Sequence, residues 1–158
     1  QRFMGVPKTI DNDLPVTDHC PGYGSAAKYI AASLKEIIRD NESFGAKKPT
    51  ICIVEIMGRN AGWLTAAAAL AKGADCSGAD AIYLPEKVFD MDAFMAKVKE
   101  LAATKSSVVI AVSEGIHIAD GRYVCELANE NVAVDAFGHK QMSGTAAYLA
   151  QIVAAETG

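Results

Sequence analysis

Between Pro7 and Pro15 the chain reads Lys8-Thr9-Ile10-Asp11-Asn12-Asp13-Leu14, which crowds a cation, a hydroxyl and two carboxylates into one short loop. Carboxylates two residues apart can divide two tasks, deprotonating a hydroxyl and orienting a hydrated magnesium ion. The competing reading is an ordinary polar turn, since Asn and Asp favour turns for their own backbone hydrogen bonds.

Three more segments offer related chemistry. Met57-Gly58-Arg59 combines a guanidinium with a glycine that permits close approach, just ahead of an expected helix N-terminus whose free N–H groups suit an anion. Ser113-Glu114-Gly115 presents a carboxylate able to accept from sugar hydroxyls, and Phe137-Gly138-His139-Lys140-Gln141 offers two cations for a phosphate. Each segment alone is better explained by the polarity of loops. Together, Lys8, Arg59, His139 and Lys140 with the acids Asp11, Asp13 and Glu114 form the set that a phosphorylated polyol and a metal-bound phosphoryl donor require.

All four follow expected strands. Residues 1–4 read as a first strand running into Gly5-Val6-Pro7, which makes the segment look like the continuation of a longer chain. From Ser25 to Arg39 apolar residues recur at helical spacing, with Lys28, Lys35, Glu36 and Arg39 opposite. Thr50 to Ile56 is a nearly unbroken apolar run, the pattern of a strand covered on both faces. An alanine-rich helix is expected over 61–71, a strand over 81–84, a helix over 92–103 and a strand over 108–112. A turn at Asp120-Gly121, a weaker strand over 132–136 and a helix over 143–155 complete the pattern. Strands alternating with helices predict an α/β, Rossmann-like, doubly wound and mostly parallel sheet with helices on both faces, and its ligands gather at the carboxyl ends of the strands.

At 158 residues and 51% hydrophobic, the chain suffices for one α/β domain with a continuous core. No apolar run approaches the length of a membrane span, and a net charge of −4 disfavours nucleic acid and anionic membranes, which want a clustered basic field. Cys20, Cys52, Cys76 and Cys125 form no C-x-x-C pair and read as buried free thiols, consistent with a reducing cytoplasm.

The order and spacing of Pro7 to Asp13, Glu55-Ile56-Met57-Gly58-Arg59, Leu84-Pro85-Glu86, Ser113-Glu114-Gly115 and Phe137-Gly138-His139 resemble the phosphofructokinase family across essentially the whole chain. The first two motifs are the specific ones. The resemblance implies that residues 1–158 are the fructose 6-phosphate-binding domain of a longer chain, a phosphotransferase with magnesium as cofactor, active as a homo-oligomer (dimer or tetramer), and that the isolated fragment is inactive. It places Thr9, Ile10 and Asp11 at the sugar, with Asp11 as general base toward the 1-hydroxyl, and Asp13 at the metal. Met57, Gly58 and Arg59 line the sugar and transferred-phosphate site, Glu114 binds sugar hydroxyls, and His139 with Lys140 reaches the 6-phosphate. Phosphoryl transfer is mostly positioning and charge stabilisation, so these are coherent parts.

Lys8 bears on the donor. Within the family a lysine here accompanies pyrophosphate, although some ATP-dependent members share it. The alternatives are therefore an ATP-dependent 6-phosphofructokinase and a noncatalytic sugar-phosphate-binding module. Two departures from the family pattern concern the 6-phosphate: Met142-Ser143-Gly144 replaces an arginine followed by glycines, and Thr50 stands where a neighbouring subunit often contributes an arginine. Lys140, Lys47 or Lys48 could substitute, with a solvated surface role the alternative for the last two. Gly22-Tyr23-Gly24 imitates a dinucleotide fingerprint but follows a proline-containing loop instead of a strand, so it reads as a helix entry and argues against a dinucleotide-dependent oxidoreductase. Trp63 reads as a packing residue.

Overall fold

The computed structural model describes residues 1–45, 47–128 and 144–158. The expected strand at 132–136 and the site segment 137–141, including His139 and Lys140, lie outside the described residues.

Among the described residues three parallel strands form the sheet: β1 (Thr50–Ile56), β2 (Ala81–Tyr83) and β3 (Ser107–Ser113), in the order β1-β3-β2. β3 lies between the other two, and this decides its burial. Six of its seven residues are buried, whereas β1 is half-buried until Ile56. The apolar run of β1 suggested complete cover, but a strand paired on one side among the described residues keeps its other flank open.

Alternating side chains of β3 feed two cores, as a strand's period of two requires. Val108, Ile110 and Val112 face α3 (Met91–Thr104) and α5 (Thr145–Thr157), meeting Phe94, Val98, Leu101, Leu149 and Val153. Val109 and Ala111 face the other way, toward Leu34 and Ile38 of α1 (Tyr23–Ser43) and toward Leu64, Ala68 and Ala71. The result is a helix–sheet–helix sandwich, the doubly wound α/β arrangement that the alternation predicted. Gly22, in the left-handed region at φ 92°, opens α1, which settles its role as a helix entry.

Two elements depart from expectation. The alanine-rich segment is not one α-helix: α2 (Trp63–Ala66) passes into a 3-10 helix over Ala67–Ala71. Thr65, Ala68 and Ala71 are all fully buried, and a spacing of three brings them onto one face when the helix tightens to about three residues per turn. Residues 1–9 form no strand, and Phe3, Met4 and Val6 are exposed. A strand gains stability from paired backbone groups, and no described strand pairs with this segment. Trp63 is 53% exposed, its ring edge-on to Tyr23 at 6.5 Å, so it is a surface contact and not a core residue.

The expected turn at Asp120-Gly121 is present, closing a short excursion in which His117 and Tyr123 pair. It leads into α4 (Val124–Ala128), a five-residue helix too short for periodicity to reveal. All four cysteines are free; Cys20, Cys76 and Cys125 are buried and Cys52 is half-buried.

Candidate functional site

β1 and β3 pair Ile56 with Ser113, so the loops that follow them, Met57-Gly58-Arg59 and Glu114-Gly115, leave the sheet side by side. Their contacts are made largely by backbone. The Gly58 N–H donates to Glu114 Oε1 at 3.2 Å, and the Ser113 hydroxyl donates to the Gly58 carbonyl. Ser113 Oγ also accepts from the Gly115 N–H at 3.3 Å. A Cβ on Gly115 would lie 1.8 Å from the Arg59 carbonyl oxygen, so the second loop can run beneath the first only because this residue has no side chain.

Glu114 therefore points back into the site. Desolvation raises its carboxyl above the ordinary glutamate range; the Gly58 N–H and the Arg59 charge act downward, and Glu55 and Asp11 act upward. Those influences place Arg59, Asp11 and Glu55 around one carboxylate. Glu55, the last polar side chain of β1, accepts from the Ala146 N–H at 2.9 Å and so caps the start of α5. Thr145 donates its hydroxyl to the Glu114 carbonyl at 3.1 Å, a second tie between that helix and the end of β3.

The loop that carries Asp11 is organised by Asn12. This residue is buried, sits at φ 59°, accepts from the Cys20 N–H at 2.8 Å and donates to the Asp18 carbonyl at 3.3 Å. Asparagine tolerates the left-handed region better than other non-glycine residues. Asp11 is half-buried, and its N–H donates to Thr9 Oγ1 at 3.2 Å. Its Oδ1 is buried and receives no hydrogen bond from the described residues. Burial first, and the neighbouring Asp13 second, push its carboxyl upward.

Asp11, Gly58, Arg59 and Glu114 thus share one end of the sheet, and Ile10 and Met57 line a common apolar cavity of about 340 Å³ beside α1. Asp13 is exposed but close enough to act on Asp11. Lys8 is exposed and forms no ion pair with a described residue. Lys47 and Lys48 precede β1 and sit at its amino end, where Lys48 donates to the Gly158 carbonyl at 2.7 Å. Seven residues of strand, roughly 20 Å, separate them from Arg59, so neither substitutes for a phosphate ligand within this chain. Thr50 lies at that same far end, bonded to the carbonyls of Asn41 and Ser106.

Sequence reasoning passed over Asn12, Ser113 as a latch, and the capping carboxylate of Glu55. A signal existed for Ser113, a hydroxyl closing an otherwise apolar strand. Asn12 and Glu55 act through partners eight and ninety-one residues away.

The phosphofructokinase family profile matches residues 1–158. A pyrophosphate–fructose 6-phosphate 1-phosphotransferase of Xanthomonas campestris pv. campestris is 46% identical over 155 residues, 98% of this chain and 36% of that protein. A protein of the same name from Rhodospirillum rubrum is 45% identical over 146 residues, 92% of this chain and 35% of its own length. The crystal structure of a pyrophosphate-dependent phosphofructokinase from Nitrosospira multiformis superposes with a TM-score of 0.74 at 36% identity, covering 96% of this chain and 33% of that one. The chain spans about a third of the length of these relatives.

Proposed function

The chain belongs to the phosphofructokinase family, and from that premise we propose that residues 1–158 are one α/β domain, the fructose 6-phosphate-binding part of an enzyme that transfers a phosphoryl group from pyrophosphate to the sugar 1-hydroxyl, giving fructose 1,6-bisphosphate. The observation that carries this reading is Asp11: a half-buried carboxylate whose buried Oδ1 receives no hydrogen bond from the described residues, near enough to Glu114 at the end of β3 to act on its charge. An oxygen that meets no donor among the described residues keeps its lone pairs for the proton of an incoming hydroxyl. Its upward-shifted pKa brings it closer to the operating pH, where a general base is most effective.

Asp11 takes the 1-hydroxyl proton as O1 bonds to the transferred phosphorus, and the bond from that phosphorus to the departing phosphate breaks. Arg59 balances charge on the transferred group, and Lys8 meets the charge that develops on the leaving phosphate. Glu114, with one oxygen held by Gly58, uses its remaining lone pairs for sugar hydroxyls. His139 and Lys140 hold the 6-phosphate.

The carboxylates also fit magnesium. That ion keeps most of its waters and needs only one or two carboxylates beside substrate phosphates; exposed Asp13 offers one, and no cluster of three acidic, His or Cys ligands occurs among the described residues. Asp13 would hold it, and the ion would supply charge neutralisation on the donor phosphates. The free cysteines fit a reducing compartment, and with the family reading goes a cytoplasmic enzyme acting as a homo-oligomer.

Turnover assays of the complete polypeptide with fructose 6-phosphate and magnesium test the reading. Pyrophosphate-driven product is expected. Activity with ATP and none with pyrophosphate overturns the donor, and sugar-phosphate binding without turnover on either donor leaves a binding module. Lys8 sharpens the choice, because phosphate leaving from pyrophosphate has no nucleoside to anchor it. Lys8→Gly should depress pyrophosphate-dependent turnover by about 10²-fold or more with fructose 6-phosphate affinity nearly unchanged; an equal loss of affinity would move Lys8 to the acceptor site.

A further inference from the structure

The strand order β1-β3-β2 sets a problem for the loop that carries Arg59. Residues 57–62 leave the end of β1, pass over the end of β3 and must enter α2 without lifting away. Near their start they are held by Ser113 and Glu114, at Gly58. At the far end the Gly62 N–H donates to Glu86 Oε1 at 2.6 Å, a charge-assisted bond from a residue three positions beyond β2. Glu86 thus reaches from the opposite edge strand, two strand spacings or roughly 10 Å across the sheet.

The fit is close as well as polar. A Cβ on Gly62 would meet Glu86 Oε2 at 2.6 Å and the Pro85 ring at 2.9 Å, so backbone and side chains are in contact there. Pro85 is buried, which fixes the stem of Glu86, and it lines with Arg59 and Gly115 a cavity of about 320 Å³. The Arg59 carbonyl is confined from below by Gly115. Arg59 therefore sits in a span whose backbone is pinned at both ends.

Resting on the phosphotransferase reading above, we propose that Glu86 is a positioning residue: its carboxylate holds the Gly62 N–H so that the Arg59 guanidinium is presented at the transferred phosphoryl group. Glu86 touches neither substrate in this scheme. Its effect passes through the backbone of residues 57–62, and any side chain with an acceptor oxygen at the same reach should retain it.

In the complete enzyme, Glu86→Ala should lower kcat about tenfold, with KM for fructose 6-phosphate within about twofold, because displacing a catalytic group costs rate more than affinity. Glu86→Gln keeps an acceptor oxygen and should retain most of the turnover. In an Arg59→Ala background, Glu86→Ala should cost nothing further, and amide hydrogen exchange over residues 57–62 should quicken in Glu86→Ala but not in Glu86→Gln. Additive losses in the double variant, or unchanged exchange with unchanged kcat, overturn the proposal. So does a lowered melting temperature with unchanged kcat, which would make Glu86 a helix cap alone. A parent that binds fructose 6-phosphate without turnover defeats the catalytic reading only. The exchange comparison then decides whether Glu86 holds the loop: unchanged exchange overturns the positioning role, and quickened exchange supports it.

Discussion

Asp11 and Glu114 are both pushed up in pKa, yet their burial serves different ends. For Asp11, on the proposed function, the shift tunes a base. Asp11→Ser should lower turnover by about 10²- to 10⁴-fold while fructose 6-phosphate affinity stays within a small factor, and the acid limb of the parent's rate profile should lie above the ordinary aspartate value of 3.8. Near-parental turnover in steady-state assays would remove Asp11 from the base's role. For Glu114 the shift is a statement about stability. Folding raises its pKa, so the native state binds this proton more tightly than the unfolded chain does. The associated stability is complete below the ordinary glutamate value of 4.5 and is lost as pH rises through the raised native value. Glu114→Gln can still accept from Gly58 and carries no such loss. The melting temperature of the variant relative to the parent should therefore climb as pH is raised from 4 toward 7; a flat difference would show that the native pKa is not raised.

Loops that meet backbone to backbone leave no room for compromise, and the ends of β1 and β3 show why two glycines stand there. Gly58 adopts φ 145°, and a Cβ on it would approach the Ala61 carbonyl to 2.6 Å. Gly115 has no unusual φ; its constraint is purely the Arg59 carbonyl oxygen at 1.8 Å from the missing Cβ. Gly115→Ala must displace residues 57–62 bodily. It should cut turnover at least 10²-fold, since a shift of about 1 Å at a catalytic group costs that much, while the cores on either face of the sheet, which contain neither loop, stay intact. Kinetics and a thermal melt on one preparation check both halves of this expectation. Parental kcat would mean that the loops separate easily, and a collapsed melt would mean that they hold the fold together.

Viewed along its strands, the molecule separates chemistry from stability. The carboxyl ends hold Asp11, Arg59 and Glu114; the amino ends hold Asn41, which is buried at the close of α1. Its Nδ2 donates to Ser107 Oγ at 2.7 Å and toward the carbonyls of Val108 at 3.3 Å and Thr50 at 3.4 Å, so one amide joins α1 to both β1 and β3. Asn41→Leu strands those buried acceptors at a cost of about 1–3 kcal/mol. Urea denaturation of the complete polypeptide should register that loss with kcat unchanged. A matching fall in kcat would show that the two ends of the sheet are coupled.

Much of this was legible in the residues. The apolar runs of β1 and β3 and the amphipathic period of α1 each report burial directly, and strand–helix alternation then leaves few ways to build a sheet. The loop after Pro7 announced itself through its concentration of charge, and the Met57-Gly58-Arg59 and Glu114 segments through charged residues directly after apolar strands. Other features are set by neighbours distant in the chain. Strand order decides which strand is central, and so why β3 is buried from Val108 onward while the equally apolar β1 is not. Packing of Thr65, Ala68 and Ala71 on one face, not alanine's propensity, selects the tighter helix. Glu86 and Glu55 look like any exposed acid or strand residue until the fold carries Gly62 and Ala146 to them. A hydrogen bond between residues far apart has no local spacing, so only the folded chain can create it.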